Sequence, residues 1–397
     1  MRLKLLLLIS LFCTNLGEWV YFIALNLKVL DIAESAFAVS ILYLLIPFAM
    51  LLTNSWAGSY IDRVNIKILM VFFSLIKALL VFCLVFSTNL LWIYSISFIL
   101  HIMTAIDTTA SFVYMTRLIP DKEQPRFNAW KSMCQSVGFI LGPSIAGVLF
   151  IAGTIESAII VNGILLFVSS LLFLLLPTVP SLNNTEAITL KVLYKDWATI
   201  IRFAKNNLLI ASILSINALY VVCISSIDSL EAAFSITILH LNESSYGLLV
   251  SVAGFGFIIG SVVNIKWIIA PLTAFQWGLL LSAIGYFIYS CAISWGIAAL
   301  GLFIASGALP FVNIGYTTYV QQQVSIGLLG RCMSIFGMIE AMGVIVLTSM
   351  YGFLSYALPL RSLIICGVVI LFLVFCGFVL LEKHFKREGY KKTRLLS

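Results

Sequence analysis

Charge is what this sequence has least of. Asp, Glu, Lys and Arg make up 10% of its 397 residues, whereas 62% are hydrophobic. A soluble domain carries about 25% charged residues, so this chain cannot cover itself with a water-facing surface, and lipid must be its solvent. The mean hydropathy of +1.11 agrees. Alternation is also missing. The long runs are apolar on every side, which excludes the lumen-facing polar positions of a membrane β-barrel. In lipid the backbone must bond within its own segment, and that leaves α-helices.

The usual marks of metal, disulfide and catalytic chemistry are absent too. All eight cysteines (Cys13, Cys83, Cys134, Cys223, Cys291, Cys332, Cys366 and Cys376) lie inside apolar runs without a Cys-x-x-Cys pair. They read as small buried apolar residues, not as a disulfide frame or a zinc site. His101, His240 and His384 lack metal-ligand spacing. There is no Walker Gly-x4-Gly-Lys-Ser/Thr, and no strand precedes Gly254-x-Gly256-x3-Gly260, so that run is not a nucleotide fingerprint. It reads instead as a close-packing face for the fifth span. No Ser/His/Asp arrangement and no soluble catalytic domain stand out. These absences point away from an enzyme, a metal site or a cofactor. Arg2, Lys4 and the apolar run after them imitate a signal peptide, but no small-x-small cleavage site follows and bulky Phe12 precedes Cys13. The expectation is a retained first helix.

What is present is a series of apolar stretches. At about 20 residues per span, twelve are predicted, near 5–27, 36–57, 68–87, 90–115, 131–153, 157–176, 207–234, 246–264, 272–293, 296–318, 332–355 and 360–381. An even number puts both termini on one side. If that side is cytoplasmic, 20 of the 23 Lys and Arg residues fall inside, only Lys28 and Arg361 fall outside, and Lys77 sits within span 3. The excess of six basic residues after 382 then faces anionic lipid heads and requires no nucleic acid.

One long polar break, with Pro180, Ser181, Asn183 and Asn184, divides the chain. The predicted organisation is an N-terminal bundle over 1–176, a cytoplasmic linker over 177–205, a C-terminal bundle over 206–382 and a basic tail over 383–397. An internal repeat supports the division. Arg126, Gly138, Ser144 and Gly147 recur as Arg331, Gly343, Ser349 and Gly352 at an offset of 205 residues, and Gly58-Ser59 recurs as Gly260-Ser261 at 202.

Charges inside the spans are costly, about 2.5–3.5 kcal/mol each on insertion scales. Glu18, Asp107, Asp228, Glu231 and Glu340 are five such acids, and Lys77 is the lone cation. A carboxyl sheltered from water takes up a proton near neutral pH, so these five are the candidates for proton coupling. A structural ion pair of Lys77 with Glu18 or Asp107 is the competing explanation. Asn15 shares a helix face with Glu18, and Asp228 shares one with Glu231.

Between spans 2 and 3 lies a short charged hinge, Gly58-x3-Asp62-Arg63-x3-Lys67. It resembles the cytoplasmic loop between helices 2 and 3 of the major facilitator superfamily. That resemblance implies an all-α membrane protein of twelve transmembrane helices in two pseudo-symmetric six-helix bundles, moving by alternating access. It also implies that Asp62 joins Arg117 and Arg331 in a latch that breaks as the halves rock. The second-half copy of the hinge keeps only Lys266, with Asn264 and Ile265 in place of the Asp and Arg.

Gly138-x3-Gly142-Pro143-x3-Gly147 in span 5 resembles the Gly-Pro motif of proton-coupled exporters in that superfamily. Gly17-Glu18-Trp19 in span 1, with Arg117-Leu118-Ile119-Pro120 and Arg126-Phe127-Asn128-Ala129 before span 5, resembles the group of macrolide-type drug exporters and enterobactin-type siderophore exporters. Here Glu18 stands where that group commonly has Asp, and Phe127 where it has Ala. Asn15, Trp19, Tyr21, Lys77, Tyr220 and Asn313 are the candidate substrate-cavity residues. The function implied is proton-coupled export of an amphipathic small molecule by a monomer in a bacterial cytoplasmic membrane, with the proton gradient in place of a cofactor. Two alternatives stay open: a narrow-specificity siderophore or metabolite carrier, and a membrane ligand-binding or lipid-handling protein without proton coupling.

Overall fold

The computed structural model describes residues 2–179 and 189–394. Residues 180–188 of the expected linker and 395–397 of the tail lie outside the described residues. The first half of the chain forms α1 (Arg2–Ala33), α2 (Ala36–Asn54), the short α3 (Ala57–Ile61), α4 (Ile66–Val85), α5 (Leu90–Leu118), α6 (Gln124–Ala152) and α7 (Ile155–Leu174). The second half forms α8 (Leu190–Asn206), α9 (Leu208–Thr237), α10 (Glu243–Lys266), α11 (Pro271–Ser290), α12 (Trp295–Gln323), α13 (Ile326–Leu354) and α14 (Leu360–Arg394). No strand occurs among the described residues. Among them, 11 helices are long and apolar enough to cross a membrane, and α2 adds the shorter apolar segment Ile41–Asn54.

Local chemistry explains the helix ends. Asn65, Asn89 and Asn242 cap α4, α5 and α10, each side-chain oxygen accepting from a backbone N–H in the first turn at 2.8–3.3 Å. The two cations expected outside have a specific task. Lys28 Nζ donates to the carbonyls of Leu84 and Val85 at 2.9 and 2.8 Å, at the end of α4. Arg361 donates to the carbonyls of Ser290 and Ala292 at 3.0 and 2.8 Å, at the end of α11. Both satisfy orphan C-terminal carbonyls where the helix dipole favours positive charge.

The chain divides into two compact units. Unit 1 comprises Met1–Ala198 with Ser325–Ala341, and unit 2 comprises Thr199–Val324 with Met342–Ser397. Unit 1 therefore includes the first half of α13. Within unit 1, α1 packs on α6 and α7, α4 on α5 and α7, and α2 on α5. Its apolar core includes Val20, Ala24, Leu42, Val81, Ile93 and Ile159. Gly138 and Gly142 lie directly against Asn15 and Trp19 of α1, so α6 approaches α1 at the distance small residues allow. Pro143 lies inside α6, and a Cβ at Gly147 would meet no neighbouring element among the described residues.

Within unit 2, α12 packs on α10 and α11, and α14 packs on α9 and α11. The Gly254–Gly260 run, expected to meet the fifth span, lies against α12. Gly256 abuts Phe303, and Gly260 abuts Gly307. A second difference concerns the linker. Its second half is the helix α8, whose first turn is capped by the Thr189 hydroxyl. Leu193, Trp197 and Ile200 recur at helical spacing there and turn one face inward.

Candidate functional site

In unit 1 the costly charges converge. Lys77 of α4 and Asp107 of α5 form an ion pair with Nζ 2.7 Å from Oδ2. The residues are 2% and 7% exposed, so each charge is sheltered from lipid by its partner. The other carboxylate oxygen of Asp107 is buried with no hydrogen-bond partner among the described residues. Glu18 of α1 lies within electrostatic reach of both Lys77 and Asp107.

Glu18 also lines two cavities. One, of about 330 Å³, is lined largely by apolar and aromatic groups including Trp19, Tyr21, Phe22 and Leu166, with Asn15, Lys77, His101, Thr104 and Asn162 among its polar elements. The other, of about 120 Å³, is more polar, with Asn15, Thr104, Asp107, Ser111, Lys131 and Gln135 on its walls. Asn15, Glu18 and Thr104 belong to both. An acid at such a junction can face a greasy chamber on one side and a wettable one on the other. Asn15, Trp19, Tyr21 and Lys77, all singled out in the sequence, come together here. His101 and Lys131 were not singled out. Lys131 reads in sequence as one more cytoplasmic loop cation, yet α6 begins at Gln124 and carries it to the cavity wall.

A second cluster gathers around the hinge. Asp62 is fully buried. Its Oδ2 lies 3.2 Å from Arg331 Nε, at the start of α13. Arg331 Nη1 is 2.9 Å from Asp196 Oδ1, and Asp196 Oδ2 is 2.9 Å from Arg63 Nη1. Arg63 Nη1 also donates to the Ser59 carbonyl at 2.6 Å. Arg117 adds a further positive charge that acts on Asp62. Burial raises the Asp62 carboxyl to about 7, although Arg331, Arg117 and Arg63 all pull it down. Gly58 is buried with its α-carbon against the Gly330 backbone, an approach that a side chain would block. Lys67 stands apart from these ion pairs, half-buried in the first turn of α4.

The remaining candidates are dispersed. In unit 2, Asp228 accepts a hydrogen bond from Tyr286 Oη at 2.6 Å, and Glu231 Oε1 accepts one from Tyr246 Oη at 3.5 Å. Tyr220 is buried and hydrogen-bonded to Ser282 at 2.7 Å. Asn313 is exposed on α12. Glu340, half-buried on α13, has no ion-pair or hydrogen-bond partner among the described residues. Among the described residues no group of His, Cys, Asp and Glu is arranged to hold a metal.

A family model described as the Major Facilitator Superfamily matches residues 7–237, more than half of the chain. The chain belongs to the major facilitator superfamily. Solved structures of the superfamily fold resemble it over nearly its whole length. A bacterial homologue of the iron transporter ferroportin, in an outward-facing state, has a TM-score of 0.77 at 16% identity, covering 96% of this chain and 100% of its own. The human organic anion transporter MFSD10 (TETRAN) has a TM-score of 0.78 at 14% identity, covering 95% and 99%. FucP, in an outward conformation, has 0.73 at 16% identity, covering 94% and 98%. At these identities the likeness is one of fold. No curated protein sequence matches the chain. The all-α, multi-pass membrane protein expected from the apolar runs, and the superfamily fold expected from the hinge resemblance, are therefore the observed fold class.

Proposed function

We propose that this member of the superfamily is a proton-coupled exporter of an amphipathic small organic molecule, working by alternating access. The observation that carries the reading is Glu18 at the junction of an aromatic cavity and a polar one, within electrostatic reach of the Lys77–Asp107 pair. The aromatic cavity suits the apolar body of a substrate. The polar cavity suits water and a proton path. Glu18 would release its proton before substrate loads and take one up before the empty carrier returns. Asp62, Arg117 and Arg331 would form the cytoplasmic latch that sets when the halves move. The drug and siderophore exporter resemblance supports export, and the excess of inside lysine and arginine supports cytoplasmic termini in a bacterial inner membrane. The chain acts as a monomer on this reading, and the proton gradient is its energy source.

One structure of like fold is a homologue of an iron transporter and another an organic anion transporter; this spread leaves the substrate to be chosen by the cavity and not by the fold. A second reading has one observation in its favour. Lys77 and Asp107 already neutralise each other, as they would in a carrier or ligand-binding protein that moves no proton. Reconstituted vesicles separate the two. An imposed pH gradient should drive transport of a fluorescent amphipathic dye, and Glu18→Gln should remove the gradient-driven component while leaving the protein folded. Dye flux that ignores the gradient, or a Glu18→Gln protein as active as the wild type, would end the proton-coupled reading.

A further inference from the structure

Nothing in the linker sequence singles out Asp196, one acid among Lys191, Lys195, Arg202 and Lys205. The structure makes it the carboxylate that two buried guanidinium groups share. Its two oxygens lie 2.9 Å from Arg331 and 2.9 Å from Arg63, and its side chain is 6% exposed. The next residue, Trp197, donates its indole N–H to the Ser55 carbonyl at 3.0 Å and so fixes this turn of α8 beside the hinge. The space left among Asp196, Arg331, Gly58 and their neighbours is about 10 Å³, at the lower limit for one water. The ion pairs are therefore direct.

Asp62 does not hold Arg331 well by itself. Arg331 Nε is 3.2 Å away without an aligned hydrogen bond among the described residues, whereas Asp196 Oδ1 is closer, 2.9 Å from Arg331 Nη1; Asp196 Oδ2, 2.9 Å from Arg63 Nη1, makes a charge contact likewise without an aligned hydrogen bond. Without Asp196, the positive charges of Arg63 and Arg331 would have the Asp62 carboxylate as their ion-pair partner among the described residues. A buried cation deprived of its counter-ion is strongly unfavourable. The contact it secures is also unforgiving, because Gly58 meets Gly330 and Arg331 backbone to backbone. Such a contact is either closed or open, with little between.

We propose that Asp196 makes the linker helix a working part of the cytoplasmic latch. It is a positioning residue that joins Arg63 of the hinge to Arg331 of α13 while the latch is closed and parts from them when it opens. This rests on the alternating-access part of the proposed function and is independent of its proton coupling.

Cys332, next to Arg331 and fully buried, gives a readout that needs no substrate. In full-length protein whose other cysteines are replaced, Cys332 should react slowly with a maleimide. Asp196→Asn should speed the reaction at least about tenfold, and Asp196→Glu should restore a slow rate. Arg63→Gln should give a smaller rise, because Asp196 keeps Arg331; this variant also serves should Asp196→Asn fail to fold. Unchanged labelling in both variants would overturn the proposal. So would equal, fast labelling in Asp196→Asn and Asp196→Glu, the mark of a side chain that merely fills space. Loss of gradient-driven dye transport in Glu18→Gln, alongside unchanged Cys332 labelling in Asp196→Asn, would remove the clamp and leave the transport reading standing.

Discussion

Asp107 of unit 1 and Asp228 of unit 2 both sit on membrane helices with one close partner, at 2.7 and 2.6 Å. The partners differ in kind. Asp107 has the ammonium of Lys77, whereas Asp228 has the phenol of Tyr286. Glu231 repeats the second solution with Tyr246, and among the described residues neither unit 2 acid has an ion pair. A phenol serves a carboxyl in either protonation state. An ammonium can only donate, and it carries a charge that needs a counter-ion. Unit 1 thus gives its buried acid a counter-ion, and unit 2 gives its acids neutral donors. Within unit 1, Glu18 is the membrane acid near the Lys77–Asp107 pair but not in it, which is why it is the proton carrier proposed above.

Deleting one partner at a time breaks or sharpens this contrast. Lys77→Met leaves a buried carboxylate alone and should cost about 3–5 kcal/mol of stability. Lys77→Met with Asp107→Leu should recover most of that loss. Denaturant unfolding in detergent measures both. Tyr286→Phe removes a neutral donor from Asp228 and should cost less, about 1–3 kcal/mol. If Lys77→Met cost no more than Tyr286→Phe, counter-ion and phenol would be equivalent here and the contrast would fail.

The smallest effect concerns Asp62, a buried acid outside the membrane spans. Burial raises its carboxyl from the ordinary 3.8 to about 7. The folded chain then holds this proton more tightly than the unfolded chain. Its contribution to stability is full below about 3.8 and is lost as pH rises through about 7. Asp62→Asn removes the titration. The melting temperature of the wild type, measured relative to this variant, should therefore fall between about pH 4 and pH 7. A difference that stays flat or rises across that range would contradict the raised value.

Much of this was legible in the sequence, for physical reasons. Apolar runs of span length have few alternatives in lipid, so the helices fell where hydropathy put them. Lys77 stood out as a lone cation in a span, and Asp107 was named as one of its possible partners. The charged hinge from Gly58 to Lys67 was visible as a break between apolar runs, whereas the expectation that Asp62 meets Arg331 came from the resemblance to the superfamily. Asp196 was not legible, because an acid among lysines looks like ordinary linker polarity. Only the helical turn of α8 sets it beside Arg63 and Arg331. The spacing of Leu193, Trp197 and Ile200 was the available signal. Lys131 was hidden by a boundary. Reading the fifth span from 131 put it at the water's edge, whereas the helix starts at Gln124 and carries it to a cavity wall. Tyr286 and Tyr246 could not have been chosen from 15 tyrosines by composition alone.

The Lys77–Asp107 pair also bears on how the chain enters the bilayer. α4 ends at Val85 and α5 begins at Leu90, so the two charges belong to one helical hairpin with a very short turn. Inserted singly, each helix would expose a charge to acyl chains at about 2.5–3.5 kcal/mol. Inserted together, they can neutralise each other before any later helix has been synthesised. The shortest segment that carries both charges into the bilayer with a counter-ion is then this hairpin.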